Sequence, residues 1–194
     1  MQHIQSIGCL GRKCKKYKTN AMKKGIILAF LVMMGVAMLA QEENTVSKLP
    51  SVTIKTIDGN SFDTQDITND GKPIVISFWA LWCKPCKQEM SAYAENYEEW
   101  QEETGVKIYA VSIDDARSTA KVLPFVSGKG WPMEVLLDPN GDFKRAMSVN
   151  MIPHTFILNG QGEIVYQHTS YYEGLEDEIF EIIQKVAAGE DINE

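Results

Sequence analysis

The chain is poor in cysteine. Four occur in 194 residues, as two close pairs, Cys9 with Cys14 and Cys83 with Cys86. Folds stapled by disulfides bridge distant segments, often with several pairs, so that class is excluded. A pair two residues apart closes too small a loop to stabilise much. No second Cys or His pair stands at ligand spacing beside either pair, so no metal is expected; a zinc site wants four ligands. Acidic residues are missing from the first 40 positions, which hold seven of the 19 Lys and Arg. From residue 41 on, 12 basic residues oppose all 26 acidic ones, a formal charge of −14. So acidic a body, without clustered cations, excludes nucleic acid as a partner. Internal repeats and low-complexity segments are also absent, which leaves one ordinary domain, long enough to bury a core without staples.

Long apolar runs are scarce too. The single one, Gly25 to Ala40, has 16 residues, short for a membrane span and comfortable for a secretory segment. Met22-Lys23-Lys24 supplies a basic start ahead of it, and Met22 is the expected true start of the chain. Gly35-Val36-Ala37 offers small residues at a cleavage point; Ala40 is a second candidate, with the bulkier Met38 at its −3 position. No cysteine follows, which argues against a lipid anchor. Residues 1–40 are read as an upstream extension with a signal peptide or an uncleaved membrane anchor, both alternatives standing. Residues 41–50 are a leader, 51–190 one domain and 191–194 an acidic tail. Processing removes Cys9 and Cys14, so Cys83 and Cys86 become the mature protein's sole cysteines.

What the chain does have is the run Phe78-Trp79-Ala80-Leu81-Trp82-Cys83-Lys84-Pro85-Cys86, an apolar strand leading through Trp-Cys-x-Pro-Cys into a helix. Around it the pattern predicts a compact series of elements. Val52–Thr56 alternates like a strand, and Asp58-Gly59 turns it toward Ser61-Phe62. Ile74–Phe78 is nearly all apolar, as a central strand buried on both faces is. Pro85 suits a first helical turn, and the helix runs to Thr104, where Gly105 ends it. Met90, Tyr93, Ala94, Tyr97 and Trp100 recur along it at helical spacing. Val106–Ile113 is the next strand, with Asp114-Asp115 placed to cap a following helix that Pro124 should kink or shorten. Met133–Leu137 is a short strand closed by Asp138-Pro139-Asn140-Gly141. Thr155–Leu158 and Glu163–Gln167 pair across Asn159–Gly162, and an amphipathic helix spans Leu175–Ala188. Strand–helix alternation followed by a hairpin and a last helix indicates an α/β fold with a mixed central sheet covered on both faces.

A dithiol where a central strand meets its helix is the thioredoxin arrangement. The sequence resembles the thioredoxin superfamily, and within it the extracytoplasmic disulfide reductases of the TlpA/ResA type. The resemblance rests on Phe78–Cys86, on Glu89 three residues past the second cysteine, on Ile152-Pro153-His154-Thr155-Phe156-Ile157-Leu158, and on the signal-like segment. It covers about residues 45–190. It implies a thioredoxin-like three-layer fold with an N-terminal β-hairpin and a strand–helix–strand insertion between Val106 and Leu137. It also implies that Cys83 and Cys86 form the redox-active disulfide with no other cofactor, Cys83 being the nucleophile and Cys86 the resolving thiol. The chemistry agrees, because a helix N-terminus and the nearby Lys84 favour a thiolate at Cys83. Pro153 matches the family's cis-proline, which faces the dithiol and presents backbone to an extended substrate. With it, Trp82, Lys84, Pro85, Ile152 and His154 are candidate docking residues. His154 is a tuning or substrate-contacting imidazole, or else a strand residue facing away.

Glu89 is the third candidate catalytic residue. In ResA-like proteins the matching glutamate lies near the dithiol and modulates its protonation; the competing reading is a solvated helix glutamate like Glu95, Glu98 and Glu99. Ordinary thioredoxins hold a buried Asp at the position of Ser77, which cannot titrate usefully, and this favours Glu89 as the group that takes the proton of Cys86. Trp79 is read as core filling, and Leu81 stands where relatives have a small polar residue. The resemblance implies reduction of disulfides in exported proteins, apocytochrome c among them, with protein disulfides or dithiols as substrates and a membrane protein as electron source. Lys84 pulls toward oxidising power, so an oxidase or isomerase remains an alternative. A thiol peroxidase needs a Thr where Ala80 stands. A non-catalytic binding domain would have no use for an intact dithiol.

Overall fold

The structure, a computed structural model, describes residues 47–190 and 192. The apolar segment, the Met22 start, Cys9 and Cys14, the leader up to residue 46 and all of the tail but Ile192 lie outside the described residues. The elements, in chain order, are β1 (Thr53–Thr56), β2 (Ser61–Asp63), β3 (Ile74–Trp79), α1 (Lys84–Thr104), β4 (Lys107–Ser112), α2 (Val122–Lys129), β5 (Glu134–Leu137), α3 (Asp142–Ala146), β6 (His154–Leu158), β7 (Ile164–Thr169) and α4 (Leu175–Ala188). Seven strands form one sheet in the order β2-β1-β5-β4-β3-β6-β7. The middle strands β5, β4 and β3 run parallel, joined by helical crossovers, while the β1–β2 and β6–β7 hairpins add antiparallel edges. The chain thus has the thioredoxin-like α/β fold, with a mixed sheet and an N-terminal hairpin.

β3 lies between β4 and β6, and all six of its residues are buried, which is why it reads as a continuous apolar run. Its side chains alternate between two cores. Val75 and Trp79 join the cluster formed with α1, α2 and α4; Ile74, Ile76 and Phe78 join a second, closed by Phe143 and Met147 at α3 and by Leu49, Ile54 and Ile67. Across the first face Trp100 of α1 stacks on Phe180 of α4, ring centroids 5.2 Å apart and planes 4° from parallel. Such a pair adds about 1 kcal/mol beyond its area burial. α1 ends where Gly105 takes a left-handed φ of 68° and returns its N–H to the Gln101 carbonyl. Gly160 serves contact rather than conformation: a Cβ there would lie 2.0 Å from the Gly71 carbonyl oxygen, so the β6–β7 turn packs backbone to backbone on the loop before β3.

Two expectations are corrected, and one helix is added beyond the expected turn. Asp114 caps no helix. The Asp115 carboxylate accepts from the N–H groups of Arg117 and Ser118, forming a turn, and α2 begins later without a side-chain cap. Pro124 neither kinks nor shortens α2, because it falls in the first turn, where the helix needs no N–H from it. After Asp138-Pro139-Asn140-Gly141 the chain forms the short helix α3, where the Asp138 carboxylate accepts from the N–H groups of Asp142 and Lys144. Its five residues are too few for a periodicity to show. The last residues of the leader lie along the sheet edge: Ile164 donates its N–H to the Ser47 carbonyl, and Leu49 is buried. No helix among the described residues is long and apolar enough to cross a membrane.

Candidate active site

β3 delivers the chain to the sheet's end, where Ala80–Trp82 turn it into α1. Cys83 is the N-cap of that helix and Pro85 lies in its first turn. Cys83 and Cys86 are joined as a disulfide, their Cα atoms 5.4 Å apart. The Cys83 Sγ receives the N–H of Cys86 at 3.2 Å and lies 3.9 Å from the carbonyl oxygen of Ile152. As a residue Cys83 retains a trace of exposure, 5%, while Cys86 has none. Cys83 is therefore the cysteine nearer an incoming partner. No acidic residue occupies the first turn of α1, so the unpaired N–H groups and the positive end of the helix dipole act on the Cys83 sulfur unopposed.

Beneath the disulfide is a buried acid. Glu89 follows Cys86 by three residues, on the same face of α1, and is wholly inaccessible. Its Oε2 accepts the Ser77 hydroxyl at 2.7 Å; its Oε1 accepts the Thr155 hydroxyl at 2.9 Å and that of Tyr93 at 3.3 Å. Burial pushes the carboxyl up from 4.5 to about 7, with the three hydroxyls pulling the other way. Burial, then the adjacent Glu89 charge, also raises the Tyr93 phenol. The competing expectation of a solvated helix glutamate is excluded for Glu89; Glu95, Glu98 and Glu99 do lie at the surface. A carboxyl raised toward neutral pH one helical turn from the inner cysteine is of the kind that can take up or return a proton.

The structure gathers most of the sequence-predicted residues around the disulfide. Trp82 is 69% exposed, Lys84 and Pro85 are exposed, and the Ile152–Pro153 bond is cis, with Pro153 buried and Ile152 half-buried. His154 is not brought there. Side chains alternate along β6, so Thr155 points at Glu89 and His154 to the opposite face. Its ring stacks on Phe156 at 4.3 Å and its Nε2 lies 3.2 Å from the Gln167 side-chain oxygen. Trp79 is fully buried against Phe125 and Trp131. Sequence reasoning missed four residues here: Ser77 and Thr155 as donors to Glu89, Tyr93 as the third donor, and Asp114 as the anchor of the active-site loop. Asp114, at the end of β4, accepts the Leu81 N–H and the Ser112 hydroxyl on Oδ2, each at 2.9 Å. A partial signal was present for two of them: period-two alternation puts Ser77 on the face of Val75 and Trp79, and Tyr93 follows Glu89 by four, but only the sheet register brings Ser77 and Thr155 to Glu89. Among the described residues no three His, Cys, Asp or Glu side chains gather to hold a metal ion.

Comparison with known proteins agrees with this geometry. The chain is 28% identical over 157 residues to the thiol–disulfide oxidoreductase ResA of Bacillus subtilis, covering 78% of this chain and 85% of that one. It is 30% identical over 135 residues to the ResA of Halalkalibacterium halodurans, covering 69% and 74%. The solution structure of an uncharacterized thioredoxin-like protein from Porphyromonas gingivalis matches with a TM-score of 0.66 and 50% identity, over 75% of this chain and 95% of that one. The model of the AhpC/TSA family matches residues 46–167. With that match spanning more than half of the chain, this protein belongs to the AhpC/TSA family.

Proposed function

We propose that this thiol–disulfide oxidoreductase works outside the cytoplasm as a reductant of disulfides in exported proteins, apocytochrome c among its candidate clients. One observation carries the reading: a disulfide whose more exposed cysteine sits on a helix N-terminus and whose fully buried cysteine belongs to the same helix face as a buried carboxyl titrating near neutral pH. The export signal read over residues 22–40 supports the compartment. In the reduced protein the Cys83 thiolate attacks a client disulfide. A mixed disulfide forms, and the client's other sulfur leaves as a thiolate. Glu89 takes the Cys86 proton, and the Cys86 thiolate attacks the Cys83 sulfur. The client's second sulfur departs with a proton, two electrons have passed to the client, and the Cys83–Cys86 disulfide is restored. A membrane protein then returns two electrons to it. Trp82, Lys84, Pro85, Ile152 and Pro153 form the rim on which an extended client segment docks. His154, on the far face, packs and does not dock.

Lys84 and the acid-free first turn of α1 favour the thiolate form, which pulls toward oxidising power, so disulfide oxidation or isomerisation is the second reading. Ala80, three residues before Cys83, offers no hydroxyl, and peroxide reduction is not proposed. The redox equilibrium of the Cys83–Cys86 pair against glutathione separates the first two. A potential well below about −200 mV supports the reductant; one near about −180 mV or above sinks it, that being the range of isomerases and oxidants. A Cys86→Ser variant should accumulate a mixed disulfide at Cys83 with a model disulfide substrate, and absence of that adduct would overturn dithiol exchange altogether.

A further inference from the structure

We propose that Ser77 and Thr155 are positioning residues of the redox site: a cross-strand pair of hydroxyls that clamps the Glu89 carboxylate, one donor on each oxygen, and holds it ready to accept the Cys86 proton. The proposal rests on the reading of Glu89 as proton acceptor given above.

The clamp is built into the sheet register. Ser77 and Thr155 are directly opposed partners of β3 and β6, and the face they share is otherwise lined by Val75, Trp79 and Ile157. Opposed residues of an antiparallel pair stand about 5 Å apart, a span that lets one hydroxyl reach each oxygen of a single carboxylate, at 2.7 Å and 2.9 Å. Both are fully buried, as is Glu89. A hydroxyl has one proton to donate, and each of these spends it on the carboxylate. Tyr93, one turn along α1, adds a longer third bond. A protonated Glu89 could keep these contacts only if one hydroxyl turned round to accept, so the arrangement favours the ionised form, against the pull of burial. The clamp also fixes a side chain with three rotatable bonds toward the strands. The ionisable group bonded to it is Tyr93, and Tyr171, in the segment before α4, is near enough to feel its charge; the disulfide itself does not titrate.

A role limited to filling space predicts no change in where Glu89 titrates, and this is the test. The Glu89 carboxyl is followed by carbon-13 NMR in the oxidised full chain, assigned by its loss in Glu89→Gln. Ser77→Ala should raise its midpoint by about one pH unit, the worth of one hydrogen bond to a charged group. Thr155→Val, nearly the same shape and so expected to fold, should raise it somewhat less; Ser77→Thr, which keeps the hydroxyl, should leave it in place. The pH profile of mixed-disulfide resolution should move the same way. Midpoints unmoved or lowered in both Ser77→Ala and Thr155→Val overturn the clamp, even if Glu89→Gln still slows resolution. Resolution unaffected by Glu89→Gln overturns instead the proton-acceptor reading on which the proposal rests.

Discussion

Two neighbouring cross-strand pairs on β3 and β6 show how one sheet treats two buried titratable groups. Ser77 and Thr155 face α1 and surround Glu89 with hydroxyls; one residue along, Phe78 and His154 face the other way, into an aromatic cluster with Phe143 and Phe156. Burial favours the neutral form on both faces, raising Glu89 to about 7 and lowering the His154 imidazole. The difference lies in the partners. Glu89 has three donors aimed at its ionised form, so both of its states are accessible near pH 7. His154 has Gln167 on Nε2 and a buried Nδ1 with no partner. Burial outweighs the one bond to Gln167 that would favour a charge, and the balance tips toward the neutral form. Hydroxyl donors to an acid line one face and aromatic packing fills the other, although the two groups sit on adjoining pairs.

The sharpest way to break this comparison is to remove each group in turn. Glu89→Gln should slow resolution of the mixed disulfide at pH 7 by about 10²-fold, the low end of what a positioned general base supplies, with formation of the adduct little changed. His154→Gln should alter neither step more than about twofold. Stopped-flow thiol exchange with a fluorescent disulfide separates the two steps, and equal losses for the two variants would erase the distinction between the faces.

Stability offers a second test, with opposite signs on the two sides. The folded pKa of Glu89 lies above its ordinary 4.5, so the native state binds its proton more tightly than the unfolded chain. The stability contributed by the protonated form is full below about 4.5 and is lost as pH rises through about 7. The span amounts to about 3 kcal/mol for a fully buried group. Glu89→Gln, which cannot ionise, should therefore be more stable than the wild type at pH 8 by up to about 3 kcal/mol while being a worse catalyst. Urea unfolding at pH 8 measures it, and a destabilised variant would mean that the hydroxyls more than repay the burial of the charge.

The legible and illegible parts of the molecule divide along physical lines. α1 and α4 were legible because each is long and its apolar residues recur at helical spacing, and Gly105 marks the end of α1. β3 was legible because burial on both faces demands an unbroken apolar run. α3 was not, since a five-residue helix carries too little periodicity. Asp114 was misread because an acid after a strand is a common helix cap, and only the fold brings Leu81 within its reach. The candidate site was half visible. Cys83, Cys86 and Glu89 stand in one helical stretch, where spacing puts Cys86 and Glu89 on one face and the family resemblance favours Glu89 as a group near the dithiol. Ser77 and Thr155 lie 78 residues apart and meet Glu89 through sheet register, which is a long-range property that no local pattern encodes.

The smallest predicted effect separates the two faces most cleanly. Burial lowers the folded pKa of His154 below its ordinary 6.5, so its neutral form contributes stability that is full above about 6.5 and is lost as pH falls through the folded value. This slope opposes that of Glu89 between about pH 4.5 and 6.5, and each partly hides the other in the wild type. Glu89→Gln should expose it, leaving a protein whose stability declines only on the acid side. His154→Phe, which keeps an aromatic ring on Phe156, should gain under about 1 kcal/mol relative to wild type at pH 5 and still less at pH 8. In the double variant both slopes should vanish from urea midpoints taken between pH 5 and 8. A residual slope there would mean that a third buried group shares the titration.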